Sequence, residues 1–209
     1  MATSLGIENT TGWTDQQLAS LESYANASST LFVPSLQNGY NAWSLELDDA
    51  TATVNFPAST HGLLTRIYVP ANCTVGHVDY YFTTTGTTTV FLSGLYSATG
   101  AQLATSVDAH AAIVNTALTP VAFAASANLV GGNYYYLFTT ITWSVQPVLA
   151  GVTYPTGGSG GAIAFGNAGV TLASAPITSD YGVQATLPAS LTLSGQIGYA
   201  SKVWAGLRA

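Results

Sequence analysis

His61-Gly62-Leu63-Leu64-Thr65-Arg66-Ile67-Tyr68-Val69 is the stretch on which the fold turns. Read with a period of two, it puts Leu63, Thr65, Ile67 and Val69 on one face and Leu64, Arg66 and Tyr68 on the other. Successive side chains of a strand point to opposite faces, so this alternation predicts a strand. The same rhythm recurs downstream. Val78, Tyr80 and Phe82 alternate with His77, Asp79 and Tyr81, and Val90 and Leu92 alternate with Phe91 and Ser93. Tyr134, Tyr136 and Phe138 alternate with Tyr135, Leu137 and Thr139, and the spacing predicts that Tyr134 and Tyr136 face the core. Thr, Val, Tyr and Phe suit a pleated, half-buried surface. Turn residues separate the runs: Pro70-Ala71-Asn72, Thr85-Gly86, Ala98-Thr99-Gly100 and Gly131-Gly132-Asn133. Short strands with tight turns and no intervening helical pattern predict an all-β, antiparallel, jelly-roll-like sandwich rather than a parallel sheet.

Upstream the pattern changes. Residues 1–13 read as an arm. Thr14-Asp15-Gln16-Gln17 reads as a capping box, and Leu18, Leu21, and Tyr24 or Ala25 follow at helical spacing, predicting one short α-helix over 14–27. A helix of that length is marginal alone, so its apolar stripe must pack on its own β domain or on another subunit. Leu31-Phe32-Val33-Pro34 adds an apolar patch, and Ala52-Thr53-Val54-Asn55-Phe56 reads as a first strand closed by Pro57. The chain therefore divides into an anchoring and oligomerisation segment, 1–55, and a β-sandwich domain, 56–209. Leu18, Leu21, Tyr24, Leu31, Phe32 and Val33 are the candidate interface residues. The glycine-rich run 151–169 contains an irregular loop, because so much glycine weakens any strand. A last strand is expected near Ile197–Ala205.

Composition narrows the function. The 209 residues carry a net charge of −6, and only 6% are charged, against about 25% in an ordinary soluble domain. No Asp, Glu, Lys or Arg occurs between Asp108 and Asp180, and the only bases are Arg66, Lys202 and Arg208. Such a chain has no basic footprint for nucleic acid and no polybasic cluster for anionic membranes. Its apolar runs are far shorter than the roughly 20 residues of a spanning helix. Cys73 is the only cysteine, so no intrachain disulfide forms. The first residues, MATSLGIENTT, lack the basic and apolar regions of a secretory signal.

The search for chemistry is negative. Glu46, Asp48 and Asp49 lack the spacing of a calcium loop. His61, His77 and His110 form no zinc motif. His77 with Asp79, and Asp108 with His110, stand two apart and read as polar faces. Gly157-Gly158-Ser159-Gly160-Gly161 is neither a nucleophile elbow nor a phosphate loop, since no strand–turn–helix context surrounds it and no lysine follows. No catalytic residue, cofactor or metal is expected. The aromatic residues are the remaining asset: four Trp and twelve Tyr, residue types that give rigid, amphipathic contact area. Tyr135, Trp143 and Tyr154 are the candidates to stack on sugar rings.

Four segments, in order, carry a resemblance: Leu64-Thr65-Arg66-Ile67-Tyr68-Val69-Pro70-Ala71, Gly94-Leu95-Tyr96-Ser97-Ala98-Thr99-Gly100-Ala101-Gln102-Leu103-Ala104-Thr105-Ser106, Tyr134-Tyr135-Tyr136-Leu137 and Thr186-Leu187-Pro188-Ala189-Ser190-Leu191. Over about residues 61–207 the chain resembles a β-sandwich domain of virion proteins of tailed bacteriophages of actinobacteria, of the minor tail, fibre or head-decoration type. The first 55 residues fall outside it, and many such domains end a much longer tail protein. The resemblance implies a non-enzymatic structural protein, assembled in the bacterial cytoplasm and displayed on capsid or tail. Its partners would be capsid or tail subunits. Closed symmetry among copies of the chain, three-fold in this expectation, would remove exposed sheet edges. The alternative is a carbohydrate-binding module for a host-surface glycan.

Overall fold

The computed structural model describes residues 39–45, 50–153, 156–157, 161–162, 178–194, 197–199 and 201–209. The expected arm, the 14–27 helix with Leu18, Leu21 and Tyr24, the Leu31-Phe32-Val33 patch and Tyr154 all lie outside the described residues. Among the described residues the helical content is one 3-10 turn, His110–Ala112, and every ladder is antiparallel.

The strands, in chain order, are β1 (Ala42–Trp43), β2 (Ala52–Asn55), β3 (His61–Val69), β4 (Cys73–Thr84), β5 (Thr87–Tyr96), β6 (Gln102–Thr105), β7 (Ala117–Leu129) and β8 (Asn133–Val145). They continue with β9 (Val148–Thr153), β10 (Thr156–Gly157), β11 (Gly161–Ala162), β12 (Thr178–Val183), β13 (Ile197–Gly198), β14 (Ser201–Val203) and β15 (Ala205–Arg208). The final strand foreseen near 197–205 is therefore three short pieces.

The hydrogen-bonded path returns on itself. It runs β7-β4-β15-β1-β3-β8-β5-β6, and an isolated bridge between Ser106 and Phe123 joins the end of β6 back to β7. Ser106 is also fastened to β5 on its other side. Its hydroxyl accepts from the Ser93 amide, and its own amide donates to the Ser93 carbonyl. Closure removes the exposed strand edges that would otherwise template aggregation. Gly86 makes the β4–β5 turn with φ of 59°, a conformation that disfavours a side chain. A β-carbon there would also lie 2.2 Å from the Val145 carbonyl oxygen.

Alternation dictates the core. Leu63, Ile67 and Val69 of β3, Val78, Tyr80 and Phe82 of β4, Phe91 and Leu95 of β5, and Leu137 and Ile141 of β8 form one apolar cluster inside the ring. Tyr80 packs edge-on against Phe91, and its hydroxyl lies 2.7 Å from both Ser93 Oγ and Thr139 Oγ1. Burial pushes that hydroxyl well above the ordinary tyrosine range. A second, smaller cluster sits outside the ring: Leu64, Tyr96, Tyr136, Phe138 and Leu191, with Tyr181, Leu187 and Leu193 against it. The segment around 181–193 thus covers the outer face of β3, β8 and β5.

This covering corrects the reading of β8. Tyr135 faces the main core and Tyr136 the second cluster, while Tyr134, expected inside, is 48% exposed beyond the edge of the cover. Tyr80→Phe removes the hydroxyl shared by Ser93 and Thr139, two buried groups. It should cost about 1–2 kcal/mol, read as a lower urea midpoint at unchanged m-value.

Candidate binding surface

The uncovered part of the outer face is built by β1, β3 and β8. Ala42 points into the core, so Trp43 points out. The register sets Trp43 opposite Tyr68, and Tyr68 opposite Tyr134. Tyr68 and Tyr134 are each 48% exposed, with ring centroids 5.2 Å apart and planes tilted by 54°. The Arg66 guanidinium lies 4.6 Å from the Tyr134 ring centroid, a cation–π contact of about 0.5–1 kcal/mol at an exposed site. Arg66 also stands opposite Tyr136, where its charge works against the rise that burial gives the Tyr136 hydroxyl.

Behind Arg66 is a second cation. Lys202 Nζ donates to the Ser44 carbonyl. Burial, and then the charge of Arg66, bring the Lys202 ammonium down to about 8. Among the described residues no carboxylate pairs with Arg66 or Lys202; the ion pairs are His61–Asp180, His110–Asp108 and Arg208–Asp79. In an acidic chain, two of the three bases therefore sit together beside an aromatic strip.

Next to the strip the chain is clamped. Tyr40 lies across Gly206, where a β-carbon would come within 2.5 Å of the ring. Its hydroxyl donates to Asp79 Oδ2 at 3.0 Å, and Arg208 Nε donates to the same oxygen at 2.8 Å. Asp79 is 5% exposed, and its Oδ1 has no hydrogen-bond partner. Burial, the Asp79 charge and the hydrogen bond together push the Tyr40 hydroxyl far up. Tyr40 also packs edge-on against the fully buried Trp204, with centroids 5.3 Å apart. Ser44 completes the clamp: its hydroxyl donates to the Val203 carbonyl and accepts from the Ala205 amide.

The sequence-predicted sugar contacts are placed differently. Tyr135 is only 8% exposed, and its hydroxyl accepts from the Val130 amide, so its ring presents no open face. Period-two alternation alone leaves the inward face undetermined; here a shift of one position buries Tyr135 and exposes Tyr134. Trp143 is half-buried, edge-on to Phe56 at 6.2 Å. The structure does not bring Trp143 to the Tyr68–Tyr134 strip. Sequence reasoning missed Trp43, Tyr68 and Tyr134 as a group, because their adjacency depends on strand pairing between segments far apart in the chain.

The polar pairs resolve into structural roles. His77 contacts the backbone carbonyl of Ala209 rather than Asp79. Asp108 accepts from the amides of Phe91 and His110 and from the His110 ring. Burial alone would raise Asp108, but those hydrogen bonds outweigh it and hold the carboxyl below its ordinary value. His61 contacts both oxygens of Asp180 at 3.0 and 3.1 Å, which also accepts from the Gly182 amide. Cys73 lines an open groove of about 510 Å³ with Asn72, Thr74, Asn128, Leu129 and Val130, and burial raises its thiol. Among the described residues no group of three or more His, Cys, Asp or Glu could hold a metal ion, and no helix is long and apolar enough to cross a membrane.

No family model matches the sequence, and no significant match to a curated protein is found.

Asp79→Asn should lower stability by about 1–3 kcal/mol, because it weakens two charge-assisted hydrogen bonds at a buried site. Hydrogen exchange should show the loss of protection concentrated at 40–44. The titrations give a second outcome. Lys202 is lowered from its ordinary 10.5 to about 8, so between those values the unfolded chain binds more protons and stability rises with pH. Tyr40 and Tyr80 are raised, so above about pH 10 the unfolded chain loses protons first and stability falls. Denaturation across pH 7–11 should show a maximum near the crossover, and Lys202→Met should flatten the rise. At the acid end stability again rises with pH, as on the Lys202 limb. The depressed Asp108 stabilises the fold at neutral pH and ceases to as the pH drops below about 4; Asp108→Asn should make the acid limb shallower.

Proposed function

We propose that the chain is a non-enzymatic virion structural protein of a tailed bacteriophage, displayed on capsid or tail and attached through its N-terminal segment. The observation that supports this reading most is how the chain enters the fold. Asn41 donates to the Leu207 carbonyl, and β1 is seated between β15 and β3. Tyr40 is fastened to a buried carboxylate one strand further on. A pull on the residues before 39 must therefore break two ladders and the clamp together. That suits a domain held by its N-terminal side and projected into solvent. The resemblance of residues 61–207 to phage virion domains points the same way. In this reading the ring of ladders is a flattened, jelly-roll-like sandwich. The chain is a homo-oligomer, three-fold as first expected, and Leu18, Leu21, Tyr24, Leu31, Phe32 and Val33 bury against another virion subunit. Scarcity of charge fits a protein whose neighbours cover part of its surface.

The test is truncation. A chain lacking residues 1–33 should fold with an unchanged unfolding midpoint, yet its copy number on purified particles should drop by about tenfold or more, since tenfold corresponds to only ~1.4 kcal/mol of lost contact. Full occupancy by the truncated chain would overturn the reading.

The second reading, a carbohydrate-binding module for a host-surface glycan, is favoured by one observation: the exposed Tyr68–Tyr134 pair with Arg66 stacked beside it. Aromatic rings and arginine dominate binding surfaces of many kinds. Both readings can hold for one displayed protein.

A further inference from the structure

We propose that the strip formed by Arg66, Tyr68 and Tyr134 binds an acidic saccharide, with a uronate carboxylate on Arg66 and a sugar ring against the tyrosines; this rests on the carbohydrate-binding reading. Three features select that ligand class. The first is charge. The chain carries nine acids and three bases, yet Arg66 and Lys202 sit close enough to oppose each other's charge, and among the described residues no carboxylate pairs with either. An anion placed there relieves that opposition. The second is donor geometry. The Tyr134 ring lies against the Arg66 guanidinium, and Tyr136 stands opposite Arg66 across the ladder. These contacts orient a planar fork of N–H donors, and such a fork matches a carboxylate in bidentate fashion. Held on a strand and stacked, Arg66 loses little freedom on binding.

The third is surface chemistry. Tyr68 and Tyr134 form an open angle of two half-exposed rings on a paired sheet, supported beneath by the packed core. Each ring offers an apolar face for the C–H side of a pyranose and a hydroxyl for its polar rim. A bare anion would have no use for the rings, and a neutral sugar would make no use of the Arg66 charge. Trp43, opposite Tyr68, extends the strip for a second residue of an oligomer. Lys202 is held by Ser44 and acts through its field rather than by direct contact.

The test is an NMR and calorimetric titration of the full chain with the α-1,4 trimer of galacturonate, the β-1,4 trimer of glucuronate and the matching neutral galactose and glucose trimers. At least one uronate trimer should bind about tenfold or more tightly than its neutral counterpart, with shifts centred on Tyr68, Tyr134 and Trp43. Arg66→Gln should abolish that preference, lowering the affinity for the uronate trimer about tenfold more than that for its neutral counterpart. Tyr134→Phe should retain ring stacking, and Tyr134→Ala should weaken acidic and neutral trimers together. Equal affinity for acidic and neutral trimers overturns the acidic class but leaves a carbohydrate-binding module standing. No saturable binding by any trimer, with the unfolding midpoint intact, overturns both. Tighter binding of a hexaglutamate peptide than of either uronate overturns the saccharide assignment in favour of an acidic protein partner.

Discussion

Two residues carry an outsized share of the architecture. Ala42 and Trp43 pair on one side with Leu207 and Gly206 and on the other with Tyr68. Remove them, and β3 and β15 face each other across an unpaired gap, with backbone donors and acceptors exposed at the rim of an apolar core. A two-residue strand cannot hold that position by its ladders alone. Tyr40 and Ser44 hold it from either end, the first by reaching over Gly206 to Asp79 and the second by bridging Val203 and Ala205. The step at Trp204 between β14 and β15 is the counterpart on the other side. The chain changes neighbours there, its amide donates to Ala150, and the indole buries against Tyr40. The N-terminal and C-terminal ends of the fold are thus stitched into one seam.

The carboxylates among the described residues make joints of this kind. Asp79 ties Tyr40 and β4 to Arg208, Asp108 ties the 3-10 turn to β5, and Asp180 ties β12 to His61 at the start of β3. Each carboxylate accepts at least two hydrogen bonds and joins segments distant in sequence. A charge-poor chain can work this way because a carboxylate accepting amides in a partly dry site is a stronger joint than a surface ion pair. Arg66 and Lys202 break the pattern. Among the described residues neither pairs with a carboxylate; Lys202 is held by the Ser44 carbonyl, and Arg66 lies against the Tyr134 ring on the face that the 181–193 segment leaves open.

Much of the β framework was legible from period-two alternation, because inward and outward positions of β3, β4 and β5 follow directly from it. Leu63, Ile67, Val78, Tyr80 and Phe91 are all fully buried. Alternation cannot say which face is inward when both are apolar. In β8 the run from Tyr135 to Ile141 is buried on both sides, because Leu187, Leu191 and Leu193 arrive from elsewhere to cover the outside. The expected inward Tyr134 consequently lies outside and the proposed sugar contact Tyr135 within. Asp79 was visible as an acid beside a histidine on one strand face. Its actual partners, Tyr40 and Arg208, are 39 and 129 residues away, and no local spacing encodes them. The aromatic strip was illegible for the same reason, since Trp43, Tyr68 and Tyr134 meet only through register.

The seam and the strip share residues, and this has a physical consequence. Trp43 belongs to the strand that closes the ring and to the row of outward aromatics; Ser44 ends that strand and holds Lys202 behind Arg66. A load arriving through the N-terminal segment reaches β1 first, and β1 is one ladder from Tyr68. A short strand held between two neighbours transmits displacement sideways, because close-packed interiors yield little. Attachment on one side and recognition on the other would therefore meet at a single pair of residues. Each would stiffen the other: a ligand across Trp43 and Tyr68 adds contacts to the weakest ladder of the ring, and tethering the N-terminal segment restricts the strand that carries Trp43.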